Sequence, residues 1–247
     1  MAEIRRIFFD IETSPNIGWF LQTGYNQTIS YNQIIKHAKI ICISYKWEGQ
    51  DKVYNLSWDS KQCEKSMLQK FIKIADKADE IVGHNSDKFD IKWIRTRCMF
   101  YRLPMFPKYT SFDTLKFYRA NNRQPSNRLN DIGDYFKLGH KVETEKDLWN
   151  KVCIDNNRSA LKRMVKYCDG DVLLLEKVYK LTKPYAFNKI HATGIKCDCP
   201  ECGSDDVRLK GFYYTASGTK KQRVQCKVCN KKYMYTPTKI RNSQIKK

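Results

Sequence analysis

Three separated stretches of the chain carry acids at spacings suited to metal chemistry. The first is Phe-Phe-Asp-Ile-Glu-Thr at 8–13, the second Gly-His-Asn-Ser-Asp-Lys-Phe-Asp at 83–90, the third Tyr-Cys-Asp-Gly-Asp at 167–171. On a strand, side chains alternate faces, so Asp10 and Glu12 point one way while Ile7, Phe9 and Ile11 point into a core. Tyr167 and Asp171 are four apart and share a helix face. Asp90 opens a helix after a short strand. Hard divalent ions such as Mg²⁺ or Mn²⁺ take oxygen ligands. A pair of them about 4 Å apart stabilises both the attacking and the leaving oxygen of a phosphoryl displacement. Asp10, Glu12, Asp90 and Asp171 form such a ligand set, and the Tyr167 hydroxyl can orient the attacking water. Each piece alone also has a plain structural reading. Asp-x-Glu is frequent on solvated strands, Asp90 could cap a helix, and Tyr-x3-Asp is a common surface pair. Their joint occurrence, in order and on suitable elements, favours catalysis.

A second constellation lies near the C-terminus. Cys199-Pro-Glu-Cys202 and Cys226-Lys-Val-Cys229 are two Cys-x2-Cys pairs flanking strand-like runs. This is zinc-ligand spacing. Gly203 and Asn230 follow the pairs, where a zinc knuckle needs a left-handed residue. Cys197 competes with Cys199, and the regular spacing favours Cys199. A unit of about 40 residues cannot build a sufficient core, so one structural Zn²⁺ supplies folding energy. Lys210, Lys220, Lys221, Arg223, Lys227, Lys231 and Lys232 interleave with Phe212, Tyr213, Tyr214, Tyr233 and Tyr235. Cations suit phosphates and aromatic faces suit bases. Lys210, Lys221 and Arg223 are the residues singled out for substrate contact, against a ribbon that is structural or docks a protein.

These residues require an α/β frame. Strands are expected at 4–12, 38–47, 52–57, 80–83 and 110–113, and helices at 64–78, 88–101, 128–137 and 158–182. Early strands followed by strand–helix alternation predict a mixed five-stranded sheet covered by helices. Residues 13–37 lack periodicity yet carry Trp19, Phe20, Tyr25 and Tyr31, and read as a long insertion. The expected organisation is a nuclease-like domain at 1–184, a linker at 185–196, a zinc ribbon at 197–237 and a basic tail at 238–247. The formal charge of +20 over 247 residues favours a polyanionic partner, nucleic acid first. No long apolar run predicts a membrane span and no apolar signal segment opens the chain. Cysteine usage suits a reducing cytoplasm.

With these motifs in place, the chain resembles the DnaQ-like (DEDD) 3′–5′ exonucleases of the RNase H-like superfamily, in the Tyr variant (DEDDy). The His variant would place His at 166, where this chain has Lys166. The resemblance implies that Asp10, Glu12, Asp90 and Asp171 bind two Mg²⁺ or Mn²⁺ ions and that Tyr167 orients the water. It implies that the backbone at Thr13 approaches the terminal nucleotide, and Asn85 positions substrate or its own loop. Arg128 to Ile132 and Phe136 to Gly139 are similar to a helix of family B polymerase proofreading domains. The run Asp10 to Asn16 is similar to phage-encoded stand-alone members, which would place the protein in a host cytoplasm. The ribbon resembles those of insertion-sequence transposases. Asp87, Asp113 and Asp169 read as auxiliary acids, and His84 as structural. The expected activity is 3′–5′ hydrolysis of single-stranded DNA, with a replication or recombination protein as possible partner and oligomeric state left open. An RNA exonuclease, or a non-catalytic nucleic-acid-binding protein on the same fold, is the alternative.

Overall fold

A computed structural model describes residues 4–21, 23–24, 28–140, 145, 147–187, 190–195 and 197–237. The basic tail expected at 238–247 lies outside them. In chain order the strands and helices are β1 (Arg6–Thr13), β2 (Ile17–Gly18), β3 (Ile34–Lys36), β4 (Ile40–Trp47), β5 (Tyr54–Ser57), α1 (Lys65–Ala75), β6 (Glu80–Gly83), α2 (Asp90–Phe100), β7 (Ser111–Asp113), α3 (Thr114–Asn121), α4 (Leu129–Tyr135), α5 (Leu148–Cys153), α6 (Arg158–Thr182), β8 (Val207–Tyr214), β9 (Lys220–Cys226) and β10 (Lys232–Tyr235). The described residues fall into two compact units, Arg6–Tyr179 and a smaller one running from Lys180 onward.

The larger unit is built on a five-stranded sheet of order β5-β4-β1-β6-β7. β1 pairs antiparallel with β4 and parallel with β6, so the sheet is mixed. Its sequence, Arg-Ile-Phe-Phe-Asp-Ile-Glu-Thr, is rich in β-branched and aromatic residues, and Ile7, Phe8 and Phe9 are essentially inaccessible. One face of the sheet, through Ile7, Phe9, Ile11 and Ile43, packs on Leu68 and Phe71 of α1 and Ile94 and Cys98 of α2. The opposite side carries Ile41, Cys42 and Trp58 against Leu148 and Val152 of α5 and Leu161, Met164 and Cys168 of α6. In the register, Glu12 faces Cys42 and Thr13 faces Ile40, which leaves Ile41 as an extra residue. A bulge thus sits where the acidic motif ends, a place where a strand re-aims its side chains.

Strand and helix positions agree with the expected set, and two helices are additional. α3 begins on Asp113, whose side chain accepts the Lys116 N–H as an N-cap. α5 is only six residues long, too short for periodicity to reveal. Within the insertion at 13–37, β2 and β3 form a small antiparallel ribbon.

Buried ion pairs brace the sheet. Arg6 reaches Glu80 (2.7 Å) and Glu48 (2.9 Å), Lys46 reaches Glu176 (2.5 Å), and Arg97 pairs with Glu64. Glu64 also accepts the Ile40 N–H at 2.5 Å. Removing one partner of a buried pair leaves a charge with no compensation. Glu64→Ala is expected to cost about 3 kcal/mol of stability, read by urea unfolding, because it strands both Arg97 and the Ile40 amide. A loss below about 0.5 kcal/mol, the range of an ordinary surface change, would contradict the bracing role.

Candidate active site

The register of β1 and β4 decides which side chains share a face. Phe8 lies opposite Lys46, Asp10 opposite Ser44 and Glu12 opposite Cys42, and directly opposed residues point the same way. α6 covers this face turn by turn. The Cys168 thiol lies 3.5 Å from the Asp10 carbonyl and 3.6 Å from its Oδ2. Asp169 accepts hydrogen bonds from Ser44 (2.6 Å) and Asn55 (3.2 Å), Glu176 pairs with Lys46, and Tyr179 meets Phe8 edge-on at 5.3 Å. Asp10, Glu12 and Cys168 each bring a ligand atom within 4.8 Å of the others. Asp171, three residues beyond Cys168, sits one turn further along α6 and is 2% exposed.

Asp90 arrives from the other edge of β1. β6 runs beside β1 only through Arg6, Ile7 and Phe8, so the end of β1 has no neighbouring strand on that side. Asp90 occupies this gap: its Oδ1 accepts the Ile11 N–H at 3.2 Å. The connecting loop is tightly specified. A Cβ at Gly83 would lie 2.4 Å from the Ser86 Cβ, and Asn85 is left-handed with φ +66°. Asp113 accepts the N–H groups of Asn85 (2.9 Å) and Asp87 (3.1 Å). His84 is held between Thr114 Oγ1 (2.8 Å) and the Asn127 carbonyl (2.9 Å). Burial pushes the Asp90 carboxyl up to about 7, and the charge of Asp113 adds to the rise.

Asp10, His84, Asn85, Arg119, Arg128 and Asn130 line a cleft of about 670 Å³. Asp10 is the carboxylate of this lining, and its guanidinium groups are Arg119 of α3 and Arg128 at the start of α4. The Tyr167 ring packs edge-on against Trp149 of α5 at 6.4 Å. The Trp149 indole N–H donates to the Thr13 carbonyl at 3.1 Å. Trp149 thereby ties the third motif to the end of the first, a role the sequence does not signal beyond the presence of a tryptophan on a short helix. Cys168, which no motif singles out, approaches Asp10 because α6 crosses β1 there. Asp87 accepts from Ser111 Oγ at 2.6 Å and, like Asp169, tethers the fold. Asp113 is the organiser of the second motif.

Asp10 and Glu12, gathered on β1, and Asp90, raised by burial, are oxygen donors of the kind that hard divalent cations take.

The smaller unit is a three-stranded antiparallel sheet, β10-β9-β8. Cys199, Cys202, Cys226 and Cys229 gather their sulfurs within 4.8 Å of one another, with Cys199–Cys229 at 3.4 Å and Cys202–Cys226 at 3.6 Å. Tetrahedral zinc with bonds of about 2.3 Å sets its sulfurs about 3.8 Å apart, so the cluster fits this ion. Gly203 and Asn230 are left-handed, with φ of +71° and +63°. Cys197 is outside the cluster; its carbonyl accepts the Tyr233 hydroxyl. Lys210 and Arg223 share a shallow cavity with Lys232, while Lys221 lies outside its lining. Lys231, one of the cations interleaved with the ribbon's aromatic residues, is buried rather than open to phosphates. It is 6% exposed and donates to the carbonyls of Lys183 and Ala186, both at 2.7 Å. Lys227 pairs with Asp206.

The raised Asp90 value sets a pH dependence. A carboxylate raised on folding stabilises the metal-free fold at low pH and ceases to do so as the pH passes about 7. A cation taken by Asp90 would displace its proton. Mn²⁺ titration by calorimetry at pH 6, in buffers of different ionisation enthalpy, is expected to report release of about one proton, declining toward zero at pH 8. Proton-neutral binding at pH 6 would contradict this environment for Asp90.

Three comparisons bear on kinship. No curated protein matches the chain. Among solved structures, the family B DNA polymerase from the hyperthermophilic archaeon Pyrobaculum calidifontis superposes with a TM-score of 0.57 at 14% identity. That match covers 74% of this chain and 25% of the polymerase chain, so the chain corresponds to a minor part of that enzyme in fold. A family model described as RNase_H superfamily matches residues 7–183. The match takes in β1, the Asp90 loop and α6, and the chain belongs to the RNase_H superfamily.

Proposed function

We propose that this protein is a metal-dependent 3′–5′ exonuclease that trims single-stranded DNA ends and releases 5′-mononucleotides. The observation that carries the reading lies at the end of β1: Asp10 and Glu12 gather with Cys168 of α6, and Asp90 accepts the Ile11 amide; Tyr167 and Asp171 flank Cys168 in sequence on the same helix. The fold and its kinship support nuclease chemistry. The 3′–5′ direction and the preference for DNA rest on the resemblance of the three motifs to DEDDy exonucleases.

Asp10, Glu12, Asp90 and Asp171 would hold two Mg²⁺ or Mn²⁺ ions. Bound there, the ions supply Lewis-acid stabilisation to the attacking and leaving oxygens of the scissile phosphodiester. The chain's own residues do the remainder. Tyr167, fixed by the Trp149 ring, orients the attacking water through its hydroxyl. The Thr13 backbone, fixed by the Trp149 indole, and Asn85, fixed by Asp113, position the terminal nucleotide. Arg119 and Arg128 face phosphates in the cleft. In the smaller unit Cys199, Cys202, Cys226 and Cys229 hold one structural Zn²⁺, and Lys210, Lys221 and Arg223 add sequence-independent grip on the strand. A replication or recombination protein is the proposed context.

A time course on 5′-labelled single strands tests polarity: a ladder shortening one nucleotide at a time from the 3′ end is expected. Direct release of a labelled 5′-mononucleotide would contradict it. Asp10→Asn and Asp171→Asn should each lower hydrolysis by about 1,000-fold with strand binding retained, whereas Tyr167→Phe should lower it by about 100-fold. Full activity in either Asn variant would overturn the metal-ligand assignment.

A further inference from the structure

A second cleft, of about 540 Å³, lies between α2 and the β2–β3 ribbon. On one wall Trp93, Thr96 and Phe100 are spaced three and four apart, a single stripe of the helix. The fully buried positions of α2 are Asp90, Ile94, Arg97 and Cys98, while Trp93 packs partly on the core and Phe100 stands clear of it. Phe89 and Phe100 are 40% and 66% exposed. The Phe89 and Trp93 rings meet edge-on at 6.3 Å, and the Arg97 guanidinium lies 4.3 Å from the Phe100 ring centre. The other wall presents Lys36, His37 and Lys39, with Tyr31 tilted on the His37 ring at 5.2 Å. The lining includes no carboxylate among the described residues. Tyr31 is 78% exposed, so the aromatic groups of the two walls are not one packed core.

Both walls are joined in sequence to the acidic motifs. Trp93 lies three residues beyond Asp90 on α2. The ribbon wall includes Asn16, three residues beyond Thr13, and Asn16 anchors the far strand by accepting the Ala38 N–H at 2.7 Å. Aromatic faces alternating with cations, open to solvent and free of acids, are what an unpaired strand requires: bases stack and phosphates find charge. A duplex, whose bases are already stacked, gains nothing from the aromatic stripe.

We propose that this cleft is a second nucleic-acid subsite, which holds the single strand several nucleotides upstream of the residue being removed. Bases stack on Phe100 and the accessible edge of Trp93 while Lys36 meets the backbone; the Lys39 ammonium, which donates to the Gln62 carbonyl at 3.3 Å, adds its charge to the same wall. The subsite rests on the exonuclease reading for its direction, not for its binding. α2 advances about 15 Å from Asp90 to Phe100, and a stacked strand rises about 3.4 Å per nucleotide. A dinucleotide at the acidic site therefore stops short of the far end of the cleft, and a twelve-nucleotide strand spans it.

The test measures affinity and turnover separately in full-length protein. Fluorescence anisotropy with a labelled twelve-nucleotide single strand is run in an Asp10→Asn background. Lys36→Glu and Phe100→Ala, both at exposed positions, are each expected to raise Kd about tenfold, and Phe100→Trp to restore it. With Asp10 intact, both substitutions should raise KM for the twelve-mer at unchanged kcat, while dinucleotide hydrolysis stays as in the unsubstituted protein. If hydrolysis proceeds and twelve-mer affinity is indifferent to both substitutions, the subsite is overturned and the exonuclease reading stands. If no strand is hydrolysed yet affinity falls with both, the subsite stands and the exonuclease reading fails.

Discussion

The structure turns on an unfilled place in its sheet. β6 accompanies β1 only as far as Phe8, and the final residues of β1 would otherwise present unpaired backbone to the interior. An unpaired buried amide is costly, and Asp90 supplies the missing acceptor for Ile11. In doing so it brings a third carboxylate beside Asp10 and Glu12. Satisfying a backbone group and collecting like charges are thus one event. The cost of burying that carboxylate, which raises its pKa, is what a cation would offset and what distinguishes the place from an ordinary strand end.

Much of the surrounding framework can be understood as fixing these charges in place. Asp113 secures the Asp90 loop through two amides while capping α3. Ser44 and Lys46 of β4 anchor α6 through Asp169 and Glu176, which sets the helix rotation and therefore the direction of Tyr167 and Asp171. Trp149 links Tyr167 to Thr13. Outside this acidic floor the chain is strongly basic, with a formal charge of +20. Arg119 and Arg128 border one cleft, and Lys36 and Lys39 the other. Such a field draws a polyanion toward a site that would repel it without metal.

How legible this was in the sequence varied with how local the signal is. The alternation at 8–13 places Asp10 and Glu12 on one face because strand periodicity is intrinsic to the backbone, and α6 is readable across 25 residues of helical spacing. The two Cys-x2-Cys pairs announce their cluster through spacing alone. What escaped was set by tertiary partners. Asp113 looks like a strand end until Asn85, Asp87 and Lys116 donate to it. Trp149 gains meaning only from Thr13 and Tyr167, which are distant in sequence. Lys231 resembles its solvated neighbours, yet burial against two carbonyls removes it from the surface. The aromatic stripe of α2 was present in the sequence, but its wall of cations comes from a ribbon that shows no periodicity.

The proposed role of the acidic cluster in the larger unit is cation binding: Asp10, Glu12 and the buried Asp90 form a costly carboxylate set that a divalent ion would stabilise. The most direct measurement is the melting temperature of this unit at pH 8, with and without Mn²⁺, in unsubstituted protein and in Asp10→Asn. The account predicts that Mn²⁺ raises the melting temperature of the unsubstituted protein, that Asp10→Asn raises it in the absence of metal, and that the substitution largely removes the response to Mn²⁺. A metal-free Asp10→Asn protein that melts lower, together with no response of the unsubstituted protein to Mn²⁺, would contradict it.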